Sequence, residues 1–298
     1  MTLEQRQDLD AELRAFTLGG DTMTDRREAF ASFMEQCVVP GDVVSSDTTL
    51  GGRPALRVEP VGGATRPGVI LYFHGGAWIV GSPQTALGLT GQLVSRTGME
   101  AVSVDYRLAP EHPFPAGIDD GVAAYRELLQ QGVDPSRIVV AGDSAGGGLS
   151  ITTLLAARRE GLPMPGAVVT FSAGLDATRT GRSMDTKDGV DPIFSRASFA
   201  ATTPLYLDGA DPAQELLSPA TLASLEGFPP LLLQVGTNEV LLDDTVRLAQ
   251  RAIDASVDVV LDVTADVPHV FQMFAGRLDE ADAALARAAA FVAERVPA

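Results

Sequence analysis

Short apolar runs rich in β-branched residues recur along the chain at Val69 to Phe73, Ala101 to Val104, Ile138 to Ala141, Ala167 to Phe171, Leu231 to Val235 and Val257 to Val263. Their length and composition mark them as strands. Between and after them, residues 85–96, 118–129, 149–159 and 280–295 place apolar side chains at helical spacing. Apolar strands alternating with amphipathic helices predict an α/β fold, with a mostly parallel central sheet and helices on both faces. The first residues read differently. Leu9, Leu13 and Phe16 fall on one helical face, a second helix is expected over Arg26 to Cys37, and Pro40-Gly41 ends it. Asp42 to Pro60 then reads as a hairpin turning at Gly51-Gly52, with the alternating strand Ala55 to Glu59 as its second arm.

One stretch interrupts the alternation. Residues 177–215 are rich in Asp, Ser, Thr, Gly and Pro, with Phe194, Phe199, Leu205 and Tyr206 interspersed. An insertion of this length in an α/β domain is either functional or solvated. Its scattered aromatics favour an ordered lid.

Composition narrows the function classes. The chain has 298 residues, 45% of them hydrophobic, which is ample for a large core. Its formal charge of −17 repels phosphates and anionic membrane surfaces, so nucleic acid is not an expected partner. A single cysteine, Cys37, excludes an internal disulfide and a cysteine-rich metal site. The first residues mix Glu, Arg, Asp and Gln and lack the apolar core of a signal peptide. No apolar run approaches the roughly 20 residues that a membrane span needs. A cytoplasmic protein is the expectation.

The chemistry centres on Gly142-Asp-Ser-Ala-Gly146, which falls between the strand ending at Ala141 and a helical run. There G-x-S-x-G reads as a nucleophile elbow, with Ser144 on a sharp turn above the sheet. The alternative is a glycine-rich turn holding a phosphate on the helix N-terminus. A serine hydroxyl needs a base, and the base needs an orienting group. Of the three histidines, His74, His112 and His269, only His269 lies downstream of Ser144, where the chain order of such hydrolases places the base. The acid belongs between them at a strand end, and Glu239, after the strand Leu231 to Val235, is the choice. Asp243, Asp244 and Asp266 are its rivals. Backbone N–H groups must face the oxyanion. Gly76 is the first candidate, with Gly75 or Ala77 beside it and Ala145 after the nucleophile. Trp78, Phe194, Phe199, Leu205 and Tyr206 are candidates to line the substrate pocket or, equally, to be core packing. An unperturbed histidine base predicts activity that falls below about pH 6.5.

These motifs together resemble the hormone-sensitive-lipase-like branch of the α/β-hydrolases, the bacterial family IV esterases. His74-Gly-Gly-Ala-Trp78 is similar to the oxyanion motif of that branch. Asp105 to Ala116 is similar to its signature segment, Gly142 to Gly147 to its nucleophile motif, Gly236 to Asp244 to its acid motif, and His269-Val-Phe to its histidine motif. The branch commonly has glycine where Ala77 stands and aspartate where Glu239 stands. The resemblance implies a serine carboxylesterase for short- to medium-chain esters that needs no metal or cofactor. It also implies an α/β-hydrolase fold with a helical cap, and a homodimer through the edge strand near the C-terminus. On this reading residues 1–45 are the N-terminal part of the cap and 177–215 its insertion, while 46–176 and 216–298 form the catalytic domain. Glutamate is one methylene longer than aspartate, so the Glu239 loop is expected to retreat. Asp105, Arg107 and Glu111 are expected to form a buried charge network behind the oxyanion loop. A non-catalytic small-molecule receptor on the same fold, and an amidase or thioesterase, remain as alternatives.

Overall fold

In the computed structural model, which describes residues 3–297, two helices lead the chain, α1 (Leu3–Ala15) and α2 (Met23–Met34). A capping box at Thr22 and Asp25 starts α2. The hairpin β1 (Val43–Leu50) and β2 (Arg53–Pro60) follows. Strands and helices then alternate: β3 (Val69–Phe73), α3 (Leu87–Thr97), β4 (Glu100–Val104), α4 (Ala116–Gln130), β5 (Ile138–Asp143), α5 (Ser144–Arg159) and β6 (Ala167–Phe171). The insertion carries α6 (Ser183–Thr186) and α7 (Arg196–Leu207). The chain finishes with α8 (Pro219–Leu222), β7 (Leu231–Gly236), α9 (Leu242–Asp254), β8 (Val259–Thr264) and α10 (Asp279–Arg295).

The eight strands form one sheet in the order β1-β2-β4-β3-β5-β6-β7-β8. Only β2 runs against its neighbours, pairing antiparallel with both β1 and β4. The remaining pairs are parallel. The alternation read from the sequence is therefore the α/β-hydrolase architecture. Val69, Leu71 and Phe73 of β3 point to one face, where they pack with Ile118, Tyr125, Leu149 and Leu154. Ile70 and Tyr72 point to the other, among Leu89, Leu93, Leu285 and Phe291. Because helices cover both faces, the central strands are apolar throughout instead of alternating.

Element positions agree with the pattern and differ mainly at their ends. The helix expected from Leu149 starts at Ser144, because its first turns are glycine and alanine and carry no apolar stripe. The strand expected over Val257 to Val263 forms over Val259–Thr264. Phe16 lies just past the end of α1 and stacks on Phe33, with centroids 4.1 Å apart.

The charge network expected behind the oxyanion loop does not form. Arg107 grips Asp120 of α4 through Nε at 3.0 Å and Nη2 at 2.8 Å. Glu111 instead pairs with Arg27 of α2 at 2.6 Å, and the Asp105 backbone carbonyl accepts from Arg53 Nε at 3.2 Å. The Arg107 and Glu111 side chains thus reach different elements, α4 and α2, while Asp105 makes its hydrogen bond through its backbone. Asp120 is buried, so Arg107→Ala leaves a carboxylate short of donors. Urea denaturation should show a loss of about 2–3 kcal/mol, the cost of removing charge-assisted hydrogen bonds; an unchanged midpoint would show that Arg53, 3.7 Å away, suffices.

Candidate active site

Ser144 occupies the turn where β5 becomes α5, and its φ of 51° puts it in the left-handed region. That conformation is costly for a non-glycine residue and is held here by its surroundings. A β-carbon at Gly146 would collide with the carbonyl oxygens of Phe73 and His74, so only glycine permits this approach of helix to strand.

His269 follows β8 and lies with its Nε2 2.8 Å from Ser144 Oγ. Its Nδ1 is 2.9 Å from Glu239 Oε2. Carboxylates only accept, so Nδ1 carries the proton and Nε2 offers its lone pair to the serine hydroxyl. Glu239 sits just past β7 and is fully buried. Its Oε1 accepts from Ser172 Oγ at 2.7 Å and from Gly236 N at 2.5 Å. The Glu239 side chain thus curls back onto the N–H three residues earlier. Ser172 Oγ in turn accepts from Val270 N at 3.0 Å, which ties the histidine loop to the same cluster.

Burial pushes the Glu239 carboxyl above its usual range, with the His269 hydrogen bond pulling it partly back. Burial pulls the His269 imidazole down, but its hydrogen bond to Glu239 and that residue's charge outweigh this and leave it above its ordinary value. The other acids have other work. Asp244 is buried and accepts from Leu175 N at 2.8 Å and Asp176 N at 3.0 Å. Asp243 accepts from Ser183 N at 3.1 Å, and Asp266 lies 3.3 Å from Arg6.

The His74-Gly-Gly-Ala loop follows β3, the strand beside β5. Gly76 and Ala77 line a cavity next to Ser144. Gly75 does not line that cavity, and its N–H donates to Asp143 Oδ1 at 3.1 Å, which also accepts from Tyr72 at 2.7 Å. Asp143 thereby anchors the loop, and the candidate oxyanion donors reduce to Gly76, Ala77 and Ala145. His74 is buried, stacks on Tyr106 at 4.2 Å, and has Nδ1 2.8 Å from its neighbour's carbonyl, Gly75 O. Burial pulls it down to about 4, so it stays neutral and is architectural.

The cavity over Ser144 measures about 370 Å³. Of the five pocket candidates, Phe194 alone lines it, its ring perpendicular to His269 with centroids 4.8 Å apart. Trp78 and Tyr206 stack on each other at 4.5 Å and pack with Leu205 in a separate apolar cluster. Phe199 is buried between Phe194 and the Arg179 guanidinium. Much of the wall comes instead from the N-terminal segment, through Phe16, Leu18, Phe30, Phe33 and Met34, with Met273 from the histidine loop. Phe30, Phe33 and Met34 share a face of α2 at helical spacing, and that periodicity was the available signal for them. Among the described residues, no group of three or more His, Cys, Asp or Glu is disposed to hold a metal ion.

A family model described as the alpha/beta hydrolase fold matches residues 70–273, most of the chain. The chain belongs to the α/β-hydrolase family. It is similar to a crystal structure of an esterase from the bacterial hormone-sensitive lipase family, with a TM-score of 0.94, 38% identity and 100% of each chain covered. Within the family, the chain is a hormone-sensitive-lipase-like esterase. It is 40% identical over 255 residues to an acetyl-hydrolase of Streptomyces hygroscopicus, covering 86% of this chain and 83% of that one. It is 38% identical over 243 residues to an esterase of Acinetobacter venetianus, covering 81% of this chain and 79% of the relative.

In the candidate oxyanion loop Ala77 has a φ of 52° and Trp78 beside it 61°, so two non-glycine residues hold left-handed backbone there. The strain is tolerated because Ile79 and Val80 both donate to Gly76 O, at 3.0 and 2.9 Å, and close the turn. No helix among the described residues is long and apolar enough to cross a membrane.

The raised His269 moves the expected pH limb. A base must be neutral to take a proton, so kcat/KM should fall as pH drops through the His269 pKa. The midpoint should lie above the ordinary 6.5, not at it. A pH–rate profile on a neutral ester checks this, and a rate flat down to about pH 4 would exclude His269 as the base.

Proposed function

We propose that this carboxylic ester hydrolase works through an acyl-enzyme on Ser144, with His269 as base and Glu239 as its orienting acid. The observation that carries the reading is the unbroken chain of hydrogen bonds, 2.8 Å from Ser144 Oγ to His269 and 2.9 Å from His269 to Glu239. Ser144 Oγ attacks the ester carbonyl while His269 Nε2 takes its proton. Glu239 stabilises the imidazolium that forms. The carbonyl oxygen becomes an oxyanion held by N–H groups of Gly76, Ala77 and Ala145, each worth roughly 3 kcal/mol in the transition state. His269 then protonates the leaving alcohol. Water repeats the sequence on the acyl-enzyme and frees Ser144.

Residues 1–45 and 177–215 act as a cap on this reading, since both segments contribute to the cavity wall. The predominantly apolar wall suits uncharged acyl and alcohol groups of short to medium length. Steady-state hydrolysis of p-nitrophenyl esters from acetyl to palmitoyl tests the proposal. The short esters should turn over, and Ser144→Ala should lose about 10⁶ in kcat. Residual activity within about tenfold of wild type would place the nucleophile elsewhere. Tight ester binding without turnover by wild type would favour a receptor.

A homodimer through β8 is part of the same proposal. This edge strand exposes Val260, Leu261 and Val263 at 41, 40 and 42%. An uncovered apolar edge pairs readily with another copy. Analytical ultracentrifugation should give a dimer that Val260→Lys converts to monomer, whereas a monomeric wild type would refute it.

A further inference from the structure

Asp191 lies between α6 and α7, is 4% exposed, and is used by no step of the mechanism above. Its carboxylate is gripped by backbone on two sides. Oδ1 accepts from Ile193 N at 2.8 Å and Phe194 N at 2.9 Å. Oδ2 crosses to the other half of the chain and accepts from Val240 N at 2.9 Å. No ion pair to Asp191 forms among the described residues, so these N–H groups compensate its burial. Such a carboxylate is costly to bury and is retained where it fixes geometry.

What it fixes stands on both sides of His269. Val240 directly follows Glu239, whose Oε2 holds His269 Nδ1. Ser183 Oγ, also from the insertion, donates to Val240 O at 2.6 Å and accepts from Asp243 N at 3.0 Å. The peptide groups flanking Val240 are thus held by the insertion at both N–H and C=O. On the other side, the turn closed by Asp191 Oδ1 presents Phe194, whose ring stands perpendicular to the imidazole and stacks on Phe199 at 5.0 Å. We propose that Asp191 is a positioning residue, holding the Glu239 loop and the Phe194 ring in register around His269. The inserted segment and the triad acid then move as one body.

The charge has a second effect. His269 faces three carboxylates, Glu239 from the loop after β7, Asp191 from the insertion and Asp143 from the end of β5, and each favours the imidazolium. Removing the Asp191 charge lowers the His269 pKa, so the acid limb of the pH profile moves to lower pH.

The inference rests on the Ser144–His269–Glu239 reading, so Ser144→Ala is measured alongside. Asp191→Asn keeps the shape and one acceptor oxygen, and Asp191→Ala removes both. The Asn variant should lose between about tenfold and a hundredfold in kcat, as small misplacements of catalytic groups do, with KM changed less than about threefold. Its acid limb should shift down in pH, and the Ala variant should fall further if it folds. A folded Asn variant with wild-type kcat and acid limb, whatever its melting temperature, would make Asp191 merely structural. A raised KM at unchanged kcat would make it a wall of the pocket and equally overturn the proposal. Activity surviving in Ser144→Ala would instead sink the triad reading itself.

Discussion

The turn from β5 into α5 leaves almost no room, and the site is organised around that crowding. Gly142 and Gly146 press against one another and against the backbone of β3, while Gly147 and Gly148 meet Ala173 and Gly174. With side chains excluded there, α5 begins directly at the strand end and Ser144 is forced into left-handed backbone. The neighbouring strands then supply everything else. β3 leads to the Gly76 loop, β6 to Ser172, β7 to Glu239 and β8 to His269, all at the carboxyl ends of adjacent parallel strands. Open α/β sheets place ligands at such ends, because consecutive loops converge there on one crevice.

Electrostatics makes the second constraint. A fully buried Glu239 is unfavourable as an anion, and three donors offset that cost: Ser172 Oγ, Gly236 N and His269 Nδ1. The same contacts set the tautomer of His269 and the orientation of its ring. Ser172 serves both loops at once, donating to Glu239 and accepting from Val270 N. Glu239 and His269 are therefore registered to each other through β6, and the proposed mechanism draws on that preorganisation.

Local sequence carried the sheet, the elbow and the order of Ser144, Glu239 and His269, because these depend on short-range features: apolar runs, glycines at a tight turn and spacing along the chain. It carried less where direction in space decides. Trp78 and Tyr206 are aromatic and flank the site in sequence, yet Trp78 turns away on left-handed backbone to stack on Tyr206. Gly75 belongs to the right loop, but the long-range contact with Asp143 consumes its N–H. Phe16, Phe30 and Phe33 reach the cavity from α2 and the end of α1, far away in sequence. The charges of Asp105, Arg107 and Glu111 look like a cluster along the chain, but Glu111 pairs with α2 and Arg107 with α4, while Asp105 meets the β-hairpin through its backbone carbonyl.

The central claim is that Ser144 is the one nucleophile, made reactive by its hydrogen bond to His269. Intact-protein and peptide mass spectrometry after treatment with a p-nitrophenyl alkylphosphonate tests it most directly, since the phosphonate traps a serine activated by its base. A single phosphonyl group per chain, located on the peptide carrying Ser144 and absent from Ser144→Ala, is the expected result. No adduct on the active wild-type enzyme, or an adduct on another residue, would contradict the account.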